Sequence, residues 1–463
     1  MQSSPGGIAE LGSHPSAHMS VDFGLLTGSA LLALAAVLVG TCVVSAMARD
    51  SSERTFLFII FVVALGLRLG LSVVTYIKFP YGYFAPDEVG TVEEARNYLN
   101  VVTLNSPASH GQGWIFFNIL VFHIFGTEPL LPRLWNCVVG AMTPLLGYML
   151  ARDFGAARGA RWSAILIAFF PSAVLWSSLN LHDVDVYFVI LLALLLATRV
   201  QESPRWWRVV AVSLTLAAIY LLRLFSDAAL LVAIACGVLA SRLRIPARLA
   251  RRIVIAIAAI IVGSVIVAVL FPRPGQYLYT RLGLGQIAGI RHSLASGARS
   301  AVDTDPGLQT PVAALSFLPR GLIDFFLRPF PWEHGSSLSV LTRPETILYY
   351  ALIPVIAAGI VLTVKKAALR AIPSLVFIAI TGLGYSFVLS NLGTIYRERD
   401  ELLIVMFTFV GVAVDAIAKR LGKQRLGTSS RPASRPTGGR SGGQVQTPDA
   451  GVDQIRCSTS TRW

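Results

Sequence analysis

Long apolar runs, separated by short polar connectors, dominate the pattern of this chain. A helix of about 20 apolar residues is long enough to cross a bilayer. The pattern predicts about eleven such spans. They lie at residues 21–46, 55–77, 132–151, 160–178, 184–199, 209–224, 226–241, 253–271, 346–364, 371–389 and 401–418. The predicted fold class is therefore an all-α polytopic membrane protein.

Residues 111–126 are also apolar, but Asn118 and His123 interrupt them and glycines flank them. The distribution of Lys and Arg decides how this segment is interpreted, because basic loops collect on the cytoplasmic side. If the segment lies along the membrane surface, all basic connectors share one side. We therefore predict an interfacial amphipathic helix here, an external N-terminus and a cytoplasmic C-terminus.

This topology divides the chain into three parts. Residues 1–21 form an external segment without Lys or Arg, and we expect the first helix to remain uncleaved. Residues 22–418 form the transmembrane domain, with large external loops at 78–131 and 272–345. Residues 419–463 are rich in Gly, Ser, Pro and Arg, and predict a disordered basic cytoplasmic tail. The predicted location is the plasma (inner) membrane.

Composition supports a membrane protein and excludes several other classes. The chain has 463 residues, of which 54% are hydrophobic and 14% charged, and its mean hydropathy is +0.65. The formal net charge of +14 comes from basic connectors and the tail, so membrane lipids are the expected partner and nucleic acid is not. The four cysteines show neither metal-site nor disulfide spacing.

The most acidic stretch, residues 79–99, follows the second predicted span directly. Its apolar residues recur at helical spacing and predict a short amphipathic helix that begins at Pro86. Asp87 and Glu88 are adjacent, so they face different sides of that helix and need not share a role. A proline followed by acids is also an ordinary helix start, in which the carboxylates complement the helix dipole.

Further charged residues fall at the predicted external ends of the spans. Arg223 is suited to a phosphate group, because guanidinium binds phosphate through two parallel hydrogen bonds. Its spacing from Asp227 equally fits a simple ion pair along a helix. Arg397 and Arg399 lie in a second polar turn and suit phosphate as well.

Two external segments carry other candidate groups. The turn containing His182, Asp183 and Asp185 either binds a divalent cation, positions a hydroxyl, or is simply a polar connector. Trp332 and His334 lie in a stretch of prolines and aromatics within the loop 272–345. This stretch is suited to covering a lipid chain, or it forms an ordinary aromatic belt at the interface.

Together these segments resemble the GT-C membrane glycosyltransferases that use polyprenyl-phosphate sugars. The resemblance is to the family 39-like group, which includes protein O-mannosyltransferases and aminoarabinose transferases. It is close over residues 60–200 and looser over 310–415. The residues that carry it are Leu67-Arg68-Leu69, Asp87-Glu88, Phe125-Gly126, Arg133-Leu134, Ala151-Arg152-Asp153-Phe154-Gly155, Phe170-Pro171, Trp176-Ser177-Ser178, Leu318-Pro319-Arg320-Gly321, Pro329-Phe330-Pro331-Trp332, Gly393-Thr394, Arg397 and Arg399.

The sequence departs from the family pattern at two places. The first loop has His110-Gly111-Gln112-Gly113 where the family often has His-Pro-Pro-Leu. The later turn has His182 before Asp183, where the resembling subgroup has lysine. A histidine there makes a phosphate contact weaker and dependent on pH.

The resemblance implies a bacterial cell-envelope enzyme with its active face outside the cytoplasm. It implies transfer of a sugar from a polyprenyl-phosphate donor to a glycan, lipid or protein acceptor, usually with inversion. Asp87 is then either the general base or an anchor for the sugar acceptor, and Glu88 is the second catalytic carboxylate. The resemblance leaves the cofactor open: either arginines or a divalent cation, Mg²⁺ or Mn²⁺, suit the leaving phosphate, and Asp87 and Asp183 are the candidate metal ligands. The implied donor-phosphate ligands are Arg223, Arg320, Arg397 and Arg399, and the implied positioning residues are His110, His182, Asp183, Asp185, Trp332 and His334.

Two other classes of membrane protein remain open. A polymerase or ligase of polyprenyl-diphosphate-linked glycans also uses external arginines, but it does not need the early Asp-Glu pair. A transporter or flippase of lipid-linked glycans is the other. The sequence shows no internal repeat and no pair of spans broken by glycine or proline, which are features of many transporters.

Overall fold

The structure is a computed structural model of the whole chain. It describes residues 37–46, 48–99, 112–242, 284–295, 301–302, 310–333 and 342–429, together with positions 31, 35 and 308. Two candidate site residues, His110 and His334, lie outside the described residues. So do the predicted span 253–271 and most of the first 16 residues of the predicted span 21–46.

The described chain is helical apart from its connectors and one isolated bridge between Ala301 and Asn391. Its helices are α1 (Val37–Ala46), α2 (Ser51–Lys78), α3 (Asp87–Tyr98), α4 (Gln112–Phe125), α5 (Leu130–Asp153), α6 (Ala160–Phe169), α7 (Pro171–Trp176), α8 (Asp183–Glu202), α9 (Trp206–Leu222), α10 (Leu224–Arg242), α11 (Leu284–Ala295), α12 (Pro311–Leu327), α13 (Arg343–Val388) and α14 (Leu392–Ser429). The predicted all-α class is confirmed for these residues.

Within the described residues, α2, α5, α10, α13 and α14 are long and apolar enough to cross a membrane. Shorter apolar helices, including α4, α6 and α9, accompany them. Helix α5 is central, with 83% of its apolar window buried, and it packs against α2, α6 and α8. In helix α13 only 22% of the most apolar 18-residue window is buried, whereas the part from Ala371 to Ser386 contains many buried residues.

Helix α13 is two helices that meet at a kink, because the backbone of Ala367 (φ −142°, ψ 42°) is not helical. The predicted spans 346–364 and 371–389 lie on either side of this kink. The predicted disordered tail begins at 419, whereas α14 continues to Ser429. The chain divides into two compact units, Met1–Ala418 and Lys419–Trp463, and the second is described only as far as Ser429.

Polar side chains gather at two separate places. At the first, residues from the predicted cytoplasmic connectors pair with one another: Glu53 with Arg152, Asp153 with Arg199, and Glu202 with Arg370. At the second, the predicted external residues Asp87, Asp183, Arg223 and Arg397 lie together. The contacts therefore separate the two groups in the way that the predicted topology does.

Arg68 is the one charged residue in the apolar middle of α2, and it is buried. Its Nη1 donates to the carbonyl oxygens of Ala168 (2.9 Å) and Ala64 (3.2 Å), and its Nε donates to Ser177 Oγ (2.8 Å). Because buried polar groups need partners, these hydrogen bonds tie α2 to α6 and to the end of α7. The arginine is a cross-link in the helix bundle.

The substitution Arg68→Met is expected to destabilise the protein, because it leaves the Ala168 carbonyl and the Ser177 hydroxyl without their donor. Each buried polar group that loses its partner costs about 1–3 kcal/mol. Thermal unfolding in detergent measures the loss. Leu67→Met, at a neighbouring exposed position, is the control, and equal unfolding temperatures for the two variants would contradict the cross-link.

Candidate active site

The first loop places two adjacent carboxylates at the start of one helix, one exposed and one buried. After α2 the chain reverses through Gly82, whose φ of 79° favours glycine, and α3 begins at Asp87. The Asp87 side chain is 60% exposed, whereas that of Glu88 is 1% exposed. The prediction that the two acids face different ways is confirmed.

Glu88 anchors this loop to the rest of the bundle. Arg133 of α5 donates to both of its carboxylate oxygens, with Nε–Oε1 at 2.9 Å and Nη2–Oε2 at 2.8 Å. The backbone N–H of Asn180 donates to the same carboxylate at 2.6 Å. Burial raises the pKa of Glu88, while Arg133 and the Asn180 N–H oppose the rise. Glu88 therefore holds α3 in place and does not face solvent.

Asp87 meets an arginine from the other end of the sequence. Arg397 Nη1 lies 2.5 Å from Asp87 Oδ2, and Arg397 Nε lies 3.6 Å from Asp183 Oδ1. The hydroxyl of Tyr187 donates to the backbone carbonyl of Arg397 at 3.0 Å. One guanidinium therefore links the exposed carboxylate of α3 to a buried carboxylate at the start of α8.

Arg223 is the centre of a buried charge cluster. It lies between α9 and α10 with an extended backbone (φ −157°, ψ 101°). Its Nη2 lies 2.7 Å from Asp183 Oδ1, and its Nη1 pairs with Glu398 and lies 3.0 Å from Glu401 Oε2. Because the break at Arg223 ends the helix, the predicted pair with Asp227 is replaced by these three long-range pairs.

His182 is a neutral hydrogen-bond acceptor in this cluster. Its Nε2 lies 3.1 Å from Arg223 Nη2, and because a guanidinium only donates, the imidazole nitrogen must accept. Burial lowers the pKa of His182 to about 4; Asp183 opposes the shift, and Arg223 adds to it. Burial raises the pKa of Asp183, but the positive charges of Arg397 and Arg223 outweigh burial, so its pKa is lowered. His182 therefore orients Arg223 instead of carrying positive charge towards a phosphate.

The predicted metal ligands are joined by an arginine. Asp87 and Asp183 both contact Arg397, which supplies the positive charge between them. Among the described residues, no group of three or more His, Cys, Asp or Glu side chains is arranged to hold a metal ion. A divalent cation at Asp87 and Asp183 stays a prediction.

Arg399 and Asp185 lie close to the cluster in sequence but point elsewhere. Arg399 is buried, its Nη1 donates to the carbonyl oxygens of Phe326 (3.3 Å) and Arg328, and its guanidinium lies over the Tyr349 ring at 4.9 Å. It fixes the end of α12. Asp185 Oδ1 accepts from Trp135 Nε1 at 3.0 Å, which ties α8 to α5.

The remaining predicted residues from the second external loop lie on α12 and just beyond it. Arg320 is exposed, with its Nε 3.9 Å from Asp324 Oδ2. Trp332 is 72% exposed and stacks on Phe330, with ring centroids 5.1 Å apart and planes 4° apart. This pair presents an aromatic face to its surroundings. His110 and His334 lie outside the described residues.

Sequence reasoning missed several residues that build the site. Arg133 belongs to the resembling segment of α5, but its pairing with Glu88 gave no signal in the sequence. Glu398 lies in the predicted polar turn that carries Arg397 and Arg399, and Glu401 opens the predicted span 401–418; in the structure both belong to α14. Their proximity to Arg397 in sequence was the available signal, because a buried arginine needs acidic partners.

We expect Glu88→Gln to destabilise the protein strongly, since it leaves the Arg133 charge buried without its carboxylate. Breaking a buried ion pair on one side typically costs about 3–5 kcal/mol. The free energy of unfolding in detergent measures this. Glu93→Gln, which replaces an exposed carboxylate on the same helix, should change stability by less than about 0.5 kcal/mol. If the two variants lose the same stability, Glu88 does not anchor the loop.

His182 should make the stability depend on pH below neutrality. Between about pH 4 and pH 6.5 the unfolded chain binds the His182 proton and the folded chain does not, so stability rises with pH. The contribution is at most about 1.4 kcal/mol per pH unit. Thermal unfolding across this range should show a shallower slope for His182→Asn than for wild type. The control His123→Asn, exposed on α4, should keep the wild-type slope; an unchanged slope in His182→Asn contradicts the assignment.

No protein-family model and no curated protein matches this sequence. The fold is similar to the crystal structure of ArnT from Cupriavidus metallidurans bound to undecaprenyl phosphate, with 15% sequence identity and a TM-score of 0.48. The similarity covers 80% of this chain and 62% of that one. This chain therefore matches less than two thirds of that protein's length.

Proposed function

We propose that this protein is a membrane glycosyltransferase that moves a sugar from a polyprenyl-phosphate donor to a hydroxyl group of an extracytoplasmic acceptor. The observation that carries the proposal is the pairing of Asp87 with Arg397. An exposed carboxylate and a guanidinium, 310 positions apart in sequence, lie 2.5 Å apart beside a cluster of buried charges. A sugar transfer from phosphate needs a base and a cation that binds phosphate, and this pair brings one group of each kind to the same place.

The proposed step joins the acceptor oxygen to the anomeric carbon of the donor sugar. The bond from that carbon to the donor phosphate breaks, and the electron pair leaves with the polyprenyl phosphate. The acceptor proton passes to the Asp87 carboxylate and from there to solvent. Positive charge develops on the sugar and negative charge on the leaving phosphate. A carboxylate and a guanidinium complement these two charges.

Arg397 is the arginine best suited to the leaving phosphate. Arg223 already forms ion pairs with Asp183, Glu398 and Glu401. Arg399 donates to backbone carbonyls. Arg397 has 17% of its side chain exposed and contacts the exposed Asp87. Arg223 therefore acts on the reaction by holding Asp183, which in turn lies 3.6 Å from Arg397 Nε.

The donor's prenyl chain requires an apolar surface that ends at the charged cluster. Helix α9 ends next to Arg223 and exposes Leu214 (65%) and Leu221 (51%). These side chains form a lipid-facing surface that leads to the arginines. A polyprenyl chain packed along α9 would place its phosphate at that end of the bundle.

The substitution Asp87→Asn should abolish transfer, because an amide does not accept the acceptor proton as a base. Loss of a general base lowers the rate by about 10²–10⁴-fold. Lipid mass spectrometry should then find polyprenyl-phosphate monosaccharide accumulated equally in cells with Asp87→Asn and in cells without the protein. The control Glu93→Gln, at an exposed position on the same helix, should keep polyprenyl-phosphate monosaccharide at the wild-type level.

Other outcomes would contradict the proposal. If diphosphate-linked oligosaccharides accumulate in cells without the protein but not in cells with Asp87→Asn, the protein is a polymerase or ligase. If the lipid pool changes only when a membrane separates two compartments, and purified protein in detergent transfers no sugar, the protein is a transporter or flippase.

A further inference from the structure

Among the carboxylates around Arg397, Asp87 is the one that solvent reaches. Its side chain is 60% exposed, whereas those of Asp183 and Glu398 are 0% and 9% exposed. Buried ion pairs are costly to break from one side, whereas exposed ones contribute little. A competing anion would therefore replace Asp87 on Arg397 and leave Asp183 in place.

The surrounding structure allows this replacement without movement of the main chain. The Glu88–Arg133 pair fixes the first turn of α3, because both partners are buried and hydrogen-bonded through two parallel contacts. Asp87 shares that turn, and its side chain is exposed whereas that of Glu88 is buried. Rotation of the Asp87 side chain about its own bonds is then sufficient to release Arg397.

The same guanidinium has two competing uses. Phosphate binds guanidinium best through two parallel hydrogen bonds, which need both terminal nitrogens or one with Nε. Arg397 Nη1 is occupied by Asp87, and Nε lies towards Asp183 at 3.6 Å. A donor phosphate cannot take a paired geometry on Nη1 until Asp87 leaves. Conversely, a general base must lie within hydrogen-bond distance of the hydroxyl that it deprotonates.

We propose that the donor phosphate displaces Asp87 from Arg397, and that this exchange delivers Asp87 to the acceptor hydroxyl. The inference rests on the proposed function and adds its regulation. Before the donor binds, the base is held by the residue that will later bind the phosphate. The Asp87 carboxylate is therefore free to act as a base only after a donor has bound.

The exchange predicts that Asp87 weakens donor binding by competing for Arg397. Undecaprenyl phosphate, a polyprenyl phosphate without sugar, is the probe, and its dissociation constant is measured for the full chain in nanodiscs. Asp87→Asn should bind it more tightly than wild type, by up to about five-fold, as expected for an exposed ion pair. Arg397→Gln should bind it more weakly than wild type.

A double variant separates exchange from a general effect of charge. Removing Asp87 should increase affinity only when Arg397 is present, so the gain should vanish in Asp87→Asn/Arg397→Gln compared with Arg397→Gln alone. Glu93→Gln removes a negative charge from the same helix and should leave the affinity unchanged. If Arg397→Gln does not fold, Arg397→Lys replaces it, and the gain from Asp87→Asn should then be smaller than with arginine because lysine cannot bind two oxygens in parallel.

The outcomes distinguish this inference from the proposed function. Wild-type protein that binds undecaprenyl phosphate, with no gain in Asp87→Asn, overturns the exchange and leaves the glycosyltransferase proposal standing. A gain that persists without Arg397 also overturns the exchange. Wild-type protein that does not bind undecaprenyl phosphate overturns the proposed function itself, and the exchange with it.

Discussion

The buried ion pair between Glu88 and Arg133 is the interaction on which the arrangement of the candidate site depends. Both side chains are almost fully removed from solvent, so their charges are tolerated only because each satisfies the other through two hydrogen bonds. The backbone N–H of Asn180 completes the set. Three segments distant in sequence, α3, α5 and the connector before α8, are therefore held in one geometry, and the helix that carries Asp87 has a fixed starting point.

The ion pairs in the neighbouring charged cluster differ in how deeply they are buried. Arg223 is enclosed by Asp183, Glu398 and Glu401, and His182 accepts a hydrogen bond from it while uncharged. These contacts are buried and hold the Arg223 side chain in one position. The contact of Arg397 with Asp87 is at the exposed edge of the cluster. Buried, fixed charges next to one exposed ion pair are the arrangement that the proposed exchange requires.

The separation of polar groups within the bundle gives this site its place relative to a membrane. Pairs such as Glu53–Arg152 and Asp153–Arg199 lie among the basic connectors, while the Asp87 cluster collects the acidic and arginine-rich turns. Helices with exposed apolar residues, α9 and α13 among them, lie between the two groups. The Asp87 cluster therefore lies at one end of the helices, and the proposed transfer would take place there.

The sequence by itself determined the helical membrane class, the positions of most described helices, and the divergence of Asp87 and Glu88, because hydrophobic period and adjacency on a helix are local properties. It did not determine which charged side chains form ion pairs with each other. Arg223 has a plausible partner four residues away, but the break between α9 and α10 removes that geometry, and its partners come from positions 183, 398 and 401. Likewise, Asp87 meets Arg397 across 310 positions. Only tertiary packing decides such contacts, since the requirement that a buried charge be paired does not specify which residue satisfies it.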